Sequence, residues 1–104
     1  MSSESRPPKL ISLGPDSYVE KYDVGFAFPK LDEVNRQKLK LEIEEAGQVL
    51  MPIIVMPSPV RGHIIIDGYH RFQISKELQL DCRALLFEEL SPEQAREIFL
   101  SENC

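Results

Sequence analysis

The sequence predicts an α+β domain in which a small mixed sheet is combined with about three helices. Short β-branched runs alternate with stretches of helical composition, and Gly or Pro residues separate them. The central part of the chain runs from a strand through a glycine turn to a helix and then to another strand. At 104 residues, 42% of them hydrophobic, the chain has room for one hydrophobic core and no second domain.

The N-terminal region divides into a flexible segment over residues 1–9 and the start of a single domain over residues 10–104. The first nine residues are polar, charged and proline-containing, and they offer almost nothing to bury. Leu10 begins a short β-like run that Gly14 and Pro15 end. The alternation over residues 18–22 predicts a second short strand or an extended loop.

The first helix is predicted from Asp32 to Gly47. Asp32 can accept backbone N–H bonds at the start, and Gly47 can take the left-handed conformation that ends many helices. Leu39, Ile43 and Ala46 form the predicted apolar stripe. The charged side chains are interpreted as solvated, with the basic ones pointing in different directions. These are Glu42, Glu44, Glu45, Arg36, Lys38 and Lys40.

Two β-branched runs, residues 52–56 and 63–66, predict a pair of buried strands joined by a turn-rich segment. A short helix over 69–80 and a strand over 82–87 follow. The last helix has the clearest local signal, because it opens with a capping box and a hydrophobic staple and continues with an apolar stripe. The residues concerned are Leu90, Ser91, Pro92, Gln94, Ala95, Ile98 and Phe99.

Charge and cysteine usage exclude several classes of protein. Seventeen acidic and twelve basic residues give a formal charge of −5, which argues against a stand-alone DNA-coating protein. Cys82 and Cys104 have no spacing typical of a metal site or a redox pair, so we expect a reducing compartment. Without an apolar signal core or a long apolar run, the expectation is a cytoplasmic protein with no membrane span.

Residues 64–71, with the sequence IIIDGYHR, form the one segment that stands out chemically. A strand runs into Gly68 and then into a helix whose first turn carries His70 and Arg71. Helix starts attract phosphate, glycine allows close backbone approach, and arginine can add a bidentate clamp. His70 could donate a further hydrogen bond, and Asp67 could hold a Mg²⁺-bound water or act as a base.

A structural alternative exists for the same segment. Asp67-Gly68 is also a common two-residue hairpin turn, in which case residues 69–72 would form the return strand, and the local pattern favours neither. Taken singly, Arg71 suits a surface ion pair, His70 a cap or core hydrogen bond, and Asp67 a turn. The convergence of these residues with Gly68 at one junction favours the anion site.

Residues 47–55, 64–78 and 97–103 together resemble the N-terminal domain shared by ParB partition proteins, sulfiredoxins and ParB-like free-serine kinases. The shared pattern is a helix ending in glycine, a Pro-Ile-Ile-Val strand, a hairpin, and a strand that enters a glycine-arginine box at the head of a helix. This chain supplies Gly47, residues 52–55, residues 64–66 and residues 67–71. The resemblance spans roughly residues 10–103 and implies a ParB/sulfiredoxin-like fold.

The resemblance also implies a ligand. It places Gly68, Tyr69, His70 and Arg71 around the phosphates of a nucleoside triphosphate or diphosphate, with Mg²⁺ as the accompanying ion. ParB proteins use a Glu-Asn pair in a later helix near the nucleotide and its metal, and Glu102-Asn103 stands at a matching place.

The sequence differs from the sulfiredoxin and ParB patterns at specific positions, and these differences limit the functions that the resemblance implies. Sulfiredoxins place their catalytic cysteine directly before the His-Arg pair, where this chain has Tyr69, so sulfinic acid repair is excluded. ParB boxes carry several arginines, whereas Asp-Gly-x-His-Arg is closer to the kinase form, which leaves CTP and ATP or ADP open. ParB proteins also carry DNA-reading and dimerisation domains after this module, and residues 1–104 contain neither. The sequence leaves open a fragment of a longer protein and a stand-alone nucleotide-binding module. DNA or DNA-bound proteins are expected as partners through a missing or separate domain, and a homodimer is a further expectation.

Three functional hypotheses follow. The favoured one is a nucleotide-binding switch or regulatory module in DNA partition, such as plasmid partition, or in transcription-related assemblies. The alternative is a small phosphotransferase or nucleotide hydrolase in which Asp67 and His70 are catalytic and Arg71 neutralises phosphoryl charge, with Glu20 as a further candidate base. The third is a ParB-like nuclease, for which a single carboxylate offers little support.

Overall fold

The computed structural model describes residues 7–22, 31–49 and 51–103, apart from the side chains of residues 102 and 103. Within these ranges the chain forms five strands and three helices, which confirms the predicted α+β class. In chain order they are β1 (Lys9–Leu13), β2 (Val19–Lys21), α1 (Glu33–Ala46), β3 (Ile53–Pro57), β4 (His63–Asp67), α2 (Tyr69–Glu77), β5 (Cys82–Leu86) and α3 (Pro92–Asn103).

The described strands form one mixed sheet in the order β1-β5-β3-β4-β2. The central strand β3 pairs antiparallel with β4, as the two β-branched runs predicted, and parallel with β5. At the margins, β1 pairs antiparallel with β5, and β2 pairs parallel with β4. Because β2 and β4 are parallel, Lys21 and Asp67 lie at the same end of the sheet, next to the start of α2.

The sheet is covered on both faces, which explains why its central strands are apolar at nearly every position. Alternate residues of β3 enter two separate cores, with Ile53 in the larger one and Ile54 against the smaller one. Helices α1 and α2 cover the larger core through Ile43 and Phe72. Helix α3 covers the opposite face through Phe99, so the domain has three layers.

Helix α1 begins and ends where the sequence predicts. The Asp32 side chain accepts the Asn35 backbone N–H at 2.8 Å, and Gly47 ends the helix with a φ of 73°. Of the predicted apolar stripe, Ile43 is buried and Leu39 is partly buried. Ala46 is exposed, so that part of the prediction was wrong.

The basic residues of α1 do not all point in different directions. Arg36 and Lys40 are one helical turn apart and both contact the Glu77 carboxylate of α2, Lys40 at 3.7 Å. The expectation of divergent side chains holds for Lys38, which is exposed, and was wrong for this pair. The two ion pairs join α1 to α2 at the surface.

Helix α2 ends at Glu77, three residues before the predicted end. Gln79 takes a left-handed conformation with a φ of 59°, and the N–H groups of Gln79 and Leu80 donate to the carbonyls of Lys76 and Ser75 at 3.1 and 2.9 Å. This is a Schellman ending, which usually contains glycine. The sequence pattern did not predict this ending, because a glutamine occupies the position where glycine is usual.

Helix α3 confirms the predicted capping box. The Ser91 N–H donates to Gln94 Oε1 at 2.9 Å, and the Gln94 N–H donates to Ser91 Oγ at 3.1 Å. Leu90 packs against the smaller core, to which Ala95 belongs, as expected of a hydrophobic staple. No helix in the described ranges is long and apolar enough to cross a membrane.

Candidate anion-binding site

The turn between β4 and α2 requires glycine for two reasons. Gly68 has a φ of 93°, and a Cβ at this position would lie 2.5 Å from Ile53 Cγ2 and 2.8 Å from Arg71 Nη2. The Phe72 N–H donates to the Gly68 carbonyl at 3.0 Å, so α2 starts directly after the turn. The hairpin alternative for Asp67-Gly68 was therefore wrong, and the strand-to-helix interpretation is confirmed.

The start of α2 has the electrostatics of an anion site. Gly68 has no side chain with which to cap the helix, and the first turn contains no acidic residue. The positive end of the helix dipole and the backbone N–H groups of a first turn favour anions. His70 and Arg71 lie in this same turn, so basic side chains and the helix end converge as the sequence predicts.

Arg71 is held at the boundary between the core and the surface. Its Nη2 donates to Asp67 Oδ2 and to the Pro52 carbonyl, both at 3.3 Å, and its Nη1 lies 3.6 Å from Met51 Sδ. Its Nε is buried and has no hydrogen-bond partner among the described residues. Buried donors are nearly always paired, so the guanidinium retains donor capacity for a ligand or water while it ties α2 to the start of β3.

Tyr69 is the first residue of α2 and packs against the larger core. Its hydroxyl accepts a hydrogen bond from Gln73 Nε2 at 3.0 Å, and its ring meets the His70 ring edge-on with centroids 5.9 Å apart. Lys21 Nζ lies 4.7 Å from the Tyr69 ring centroid. Sequence analysis missed Lys21, because its approach depends on the parallel pairing of β2 with β4, which no local pattern reveals.

Asp67 faces Arg71 as a partly buried ion pair, with side chains 16% and 20% exposed respectively. Its predicted role as a base or Mg²⁺ ligand stays a prediction. Over residues 7–22, 31–49 and 51–103, no cluster of three or more His, Cys, Asp or Glu residues could hold a metal. The described His, Cys, Asp and Glu side chains therefore do not form a magnesium site by themselves. In many proteins Mg²⁺ takes part of its coordination from substrate phosphates.

The remaining site residues that the sequence suggested are Glu102, Asn103 and Glu20. Glu102 and Asn103 fall in the last turn of α3, where the structure does not describe their side chains, so their role near the nucleotide also stays a prediction. Glu20 accepts a hydrogen bond from Ser58 Oγ at 3.4 Å. It shares a side of β2 with Tyr22, which packs in the smaller core, and therefore points away from α2.

A cavity of about 220 Å³ lies between α1 and α2, beside Arg71. Glu42 is exposed, as the predicted solvated face requires, and it also lines the cavity. Sequence analysis did not find the cavity, since it forms where two helices meet the start of β3. The apolar residues of its described lining are Leu39, Ile43, Val49 and Met51. The polar residues of the lining are Glu42, Gln48 and Arg71.

The ParB N-terminal domain family matches residues 27–104 of this sequence. The chain belongs to that family. Comparison with curated proteins gives no significant match. Among solved structures, the C-terminally truncated chromosome-partitioning protein ParB from Caulobacter crescentus complexed with CTP-γ-S matches with a TM-score of 0.72 and 23% identity, over 91% of this chain and 52% of that one.

Two other solved structures have the same fold. The truncated Caulobacter crescentus ParB complexed to the centromeric parS site gives a TM-score of 0.68 at 20% identity, over 89% of this chain and 46% of that one. A Pnob8-like ParB-N domain gives 0.69 at 21% identity, over 98% of this chain and 39% of that one. This family member thus spans about half, or less, of the structures that it matches.

Proposed function

We propose that this ParB N-terminal domain binds the phosphates of CTP at the turn between β4 and α2, and that it acts as a nucleotide-dependent switch in DNA partition. The observation that carries the proposal is the pairing of an uncapped helix start with an arginine whose buried Nε lacks a described partner. A phosphate at this position would meet the helix dipole, the close-lying backbone of Gly68 and the Arg71 guanidinium.

The choice of CTP is supported by the family and by its structural relatives. One Caulobacter crescentus ParB structure is complexed with CTP-γ-S, and another with the parS site. We propose that contact with DNA or DNA-bound proteins is made by a domain other than this one. The kinase-like order Asp-Gly-x-His-Arg keeps ATP and ADP as alternatives that an experiment must separate.

The geometry of Asp67 favours binding over phosphoryl transfer. Its carboxylate is engaged by Arg71, whereas a general base must reach the proton of an acceptor hydroxyl. When bound, Mg²⁺ would offset triphosphate charge, and Asp67 is the described carboxylate next to the proposed phosphate position. Arg71 would hold the phosphates and Lys21 would add a point charge from β2.

Calorimetric titration with CTP, ATP, ADP and GTP, with and without Mg²⁺, tests the proposal. We expect CTP to bind most tightly. Arg71→Lys keeps the charge but loses the fork geometry, and it should weaken CTP binding about tenfold or more, since hydrogen bonds to charged groups contribute roughly 1.5–3 kcal/mol. Thermal unfolding of each variant reports whether the fold survives. Absence of binding by every nucleotide refutes the proposal.

Hydrolysis measurements separate a switch from an enzyme. Under the proposal, CTP binding does not require turnover, and Asp67→Asn retains binding. Preferential binding of ATP or ADP, with turnover that Asp67→Asn abolishes, would instead establish the phosphotransferase or hydrolase alternative.

Lys21 provides a further test of the same site. Lys21→Met removes one exposed positive charge beside Tyr69 and should weaken CTP binding several-fold, with a smaller salt dependence than in the wild type. Lys38→Met removes the same charge from the exposed side of α1 and serves as the matched control. Equal effects of the two substitutions would contradict a local role for Lys21.

A further inference from the structure

Met51 combines high solvent exposure with direct contact to the candidate site. The residue is 66% exposed, and its Sδ lies 3.6 Å from Arg71 Nη1. Met56, the other methionine in the described ranges, is partly buried and packs against the smaller core on the opposite face of the sheet. Of these two methionines, Met51 is therefore the one that a reagent in solution reaches readily and that touches the proposed phosphate ligand.

The donors of the Arg71 guanidinium are not equally available to a ligand. Nη2 carries two N–H groups, and it already donates to Asp67 Oδ2 and to the Pro52 carbonyl. Nε is buried, so a phosphate that approaches from solvent reaches Nη1 first. Nη1 faces the Met51 sulfur, and a thioether is a weak acceptor. A phosphate oxygen is a stronger acceptor and can displace the sulfur from this nitrogen.

Oxidation of Met51 would change the acceptor at Nη1. A peroxide removes two electrons from the thioether sulfur, one peroxide oxygen becomes bonded to that sulfur, and with hydrogen peroxide the other oxygen leaves as water. The product is methionine sulfoxide, a polar side chain in place of an apolar one. Methionine has three rotatable bonds, so the new oxygen can reach hydrogen-bond distance of Nη1 by side-chain rotation alone. It then occupies the donor that a phosphate needs and places partial negative charge beside it.

We propose that Met51 is an oxidation site that regulates this anion site, because its sulfoxide binds Arg71 Nη1 and lowers the affinity for nucleotide phosphates. The inference rests on the proposed function, since it assumes that the phosphates contact Arg71. It adds a chemical control of the site by peroxides. The control is reversible, because methionine sulfoxide reductases return each sulfoxide epimer to methionine.

The test measures binding of inorganic tripolyphosphate to the full chain by calorimetry, before and after treatment with hydrogen peroxide. Peptide mass spectrometry follows the added oxygen at Met51 and Met56 separately, and Met51 should be oxidised first. The oxidised wild type should bind tripolyphosphate about fivefold or more weakly, because a charge-assisted hydrogen bond to the phosphate is lost. Treatment with both classes of methionine sulfoxide reductase should restore the original affinity.

Met51→Leu separates this effect from oxidation elsewhere in the chain. The substitution removes the sulfur and keeps an apolar side chain of similar volume, while Met56, Cys82 and Cys104 stay in place. Whatever its starting affinity, peroxide should leave the tripolyphosphate affinity of this variant unchanged. Met56→Leu is the matched control, and it should retain the full response to peroxide.

The outcomes distinguish failure of the inference from failure of the proposed function. Oxidation of Met56 before Met51, an unchanged affinity once Met51 is oxidised, or an equal loss in Met51→Leu overturns regulation by Met51 and leaves phosphate binding intact. If the untreated wild type binds neither tripolyphosphate nor CTP, the proposed function fails and the inference fails with it.

Discussion

Gly68→Ala should destabilise the domain more than an alanine at Gly47, a left-handed glycine with open space around it. A residue with a side chain at this φ costs about 1–2 kcal/mol in backbone strain. The new Cβ would also lie 2.5 Å from Cγ2 of Ile53, which is fully buried and has no solvent into which to move. Overpacking of this kind costs about 1–3 kcal/mol. The expected total is about 2–5 kcal/mol, a large share of the roughly 5–15 kcal/mol that holds a typical domain together.

Urea unfolding followed by circular dichroism measures this loss, and Gly47→Ala supplies the reference. Gly47 has a φ of 73°, but nothing lies within 4 Å of a Cβ built there, so only the strain of about 1–2 kcal/mol applies. The difference between the two variants therefore reports the contacts of the new Cβ with Ile53 and Arg71. We also expect Ile53→Ala to lessen the effect of Gly68→Ala in a double-mutant cycle. Equal destabilisation by the two glycine substitutions would refute the close approach of Ile53.

Three further predictions concern stability and reactivity. The hydrogen bond from Arg36 lowers the pKa of Glu77. The ion pair therefore stabilises the fold above the unfolded-state pKa of Glu77, and this stabilisation is lost as the pH falls through the folded-state pKa. Glu77→Gln should thus lower the urea midpoint near neutral pH and make no difference in strong acid. Burial raises the pKa of the Cys82 thiol, so in a Cys104→Ser background a thiol reagent should react at pH 8 only after unfolding, and rapid native labelling would contradict the burial. Ser91→Ala should cost about 1 kcal/mol in urea unfolding through loss of the α3 cap, and an unchanged midpoint would show the cap to be inert.

Local chemistry explains which parts of the fold could be predicted. The starts of α1 and α3 depend on side chains that bond to the backbone three residues away, and the end of α1 depends on a glycine that takes a left-handed conformation. Asp32, Ser91 and Gly47 therefore identified these ends correctly. The end of α2 was missed because Gln79 takes a backbone conformation that its residue type does not announce. The compact β-branched run of β3 indicated a buried strand, but only the folded chain shows which helices cover each of its faces.

In the candidate site, too, the residues that are close in sequence could be predicted and those brought in by long-range packing could not. Gly68 and Arg71 are close in sequence, and the strand-glycine-helix order was enough to bring them together. Lys21 reaches the Tyr69 ring from another element, and its position depends on the parallel pairing of β2 with β4. No spacing rule encodes that relation, so the residues around the glycine turn could be found from the sequence and Lys21 could not.

The pairing of β1 with β5 has a consequence for how the chain folds. The first described strand completes the sheet against the last one, so closing that margin requires most of the domain to be in place. The β3-β4 hairpin and the turn into α2 involve near neighbours in sequence, and their loop-closure entropy is small. We therefore expect the Gly68 turn to form early and β1 to dock last, with the overall rate limited by that long-range closure.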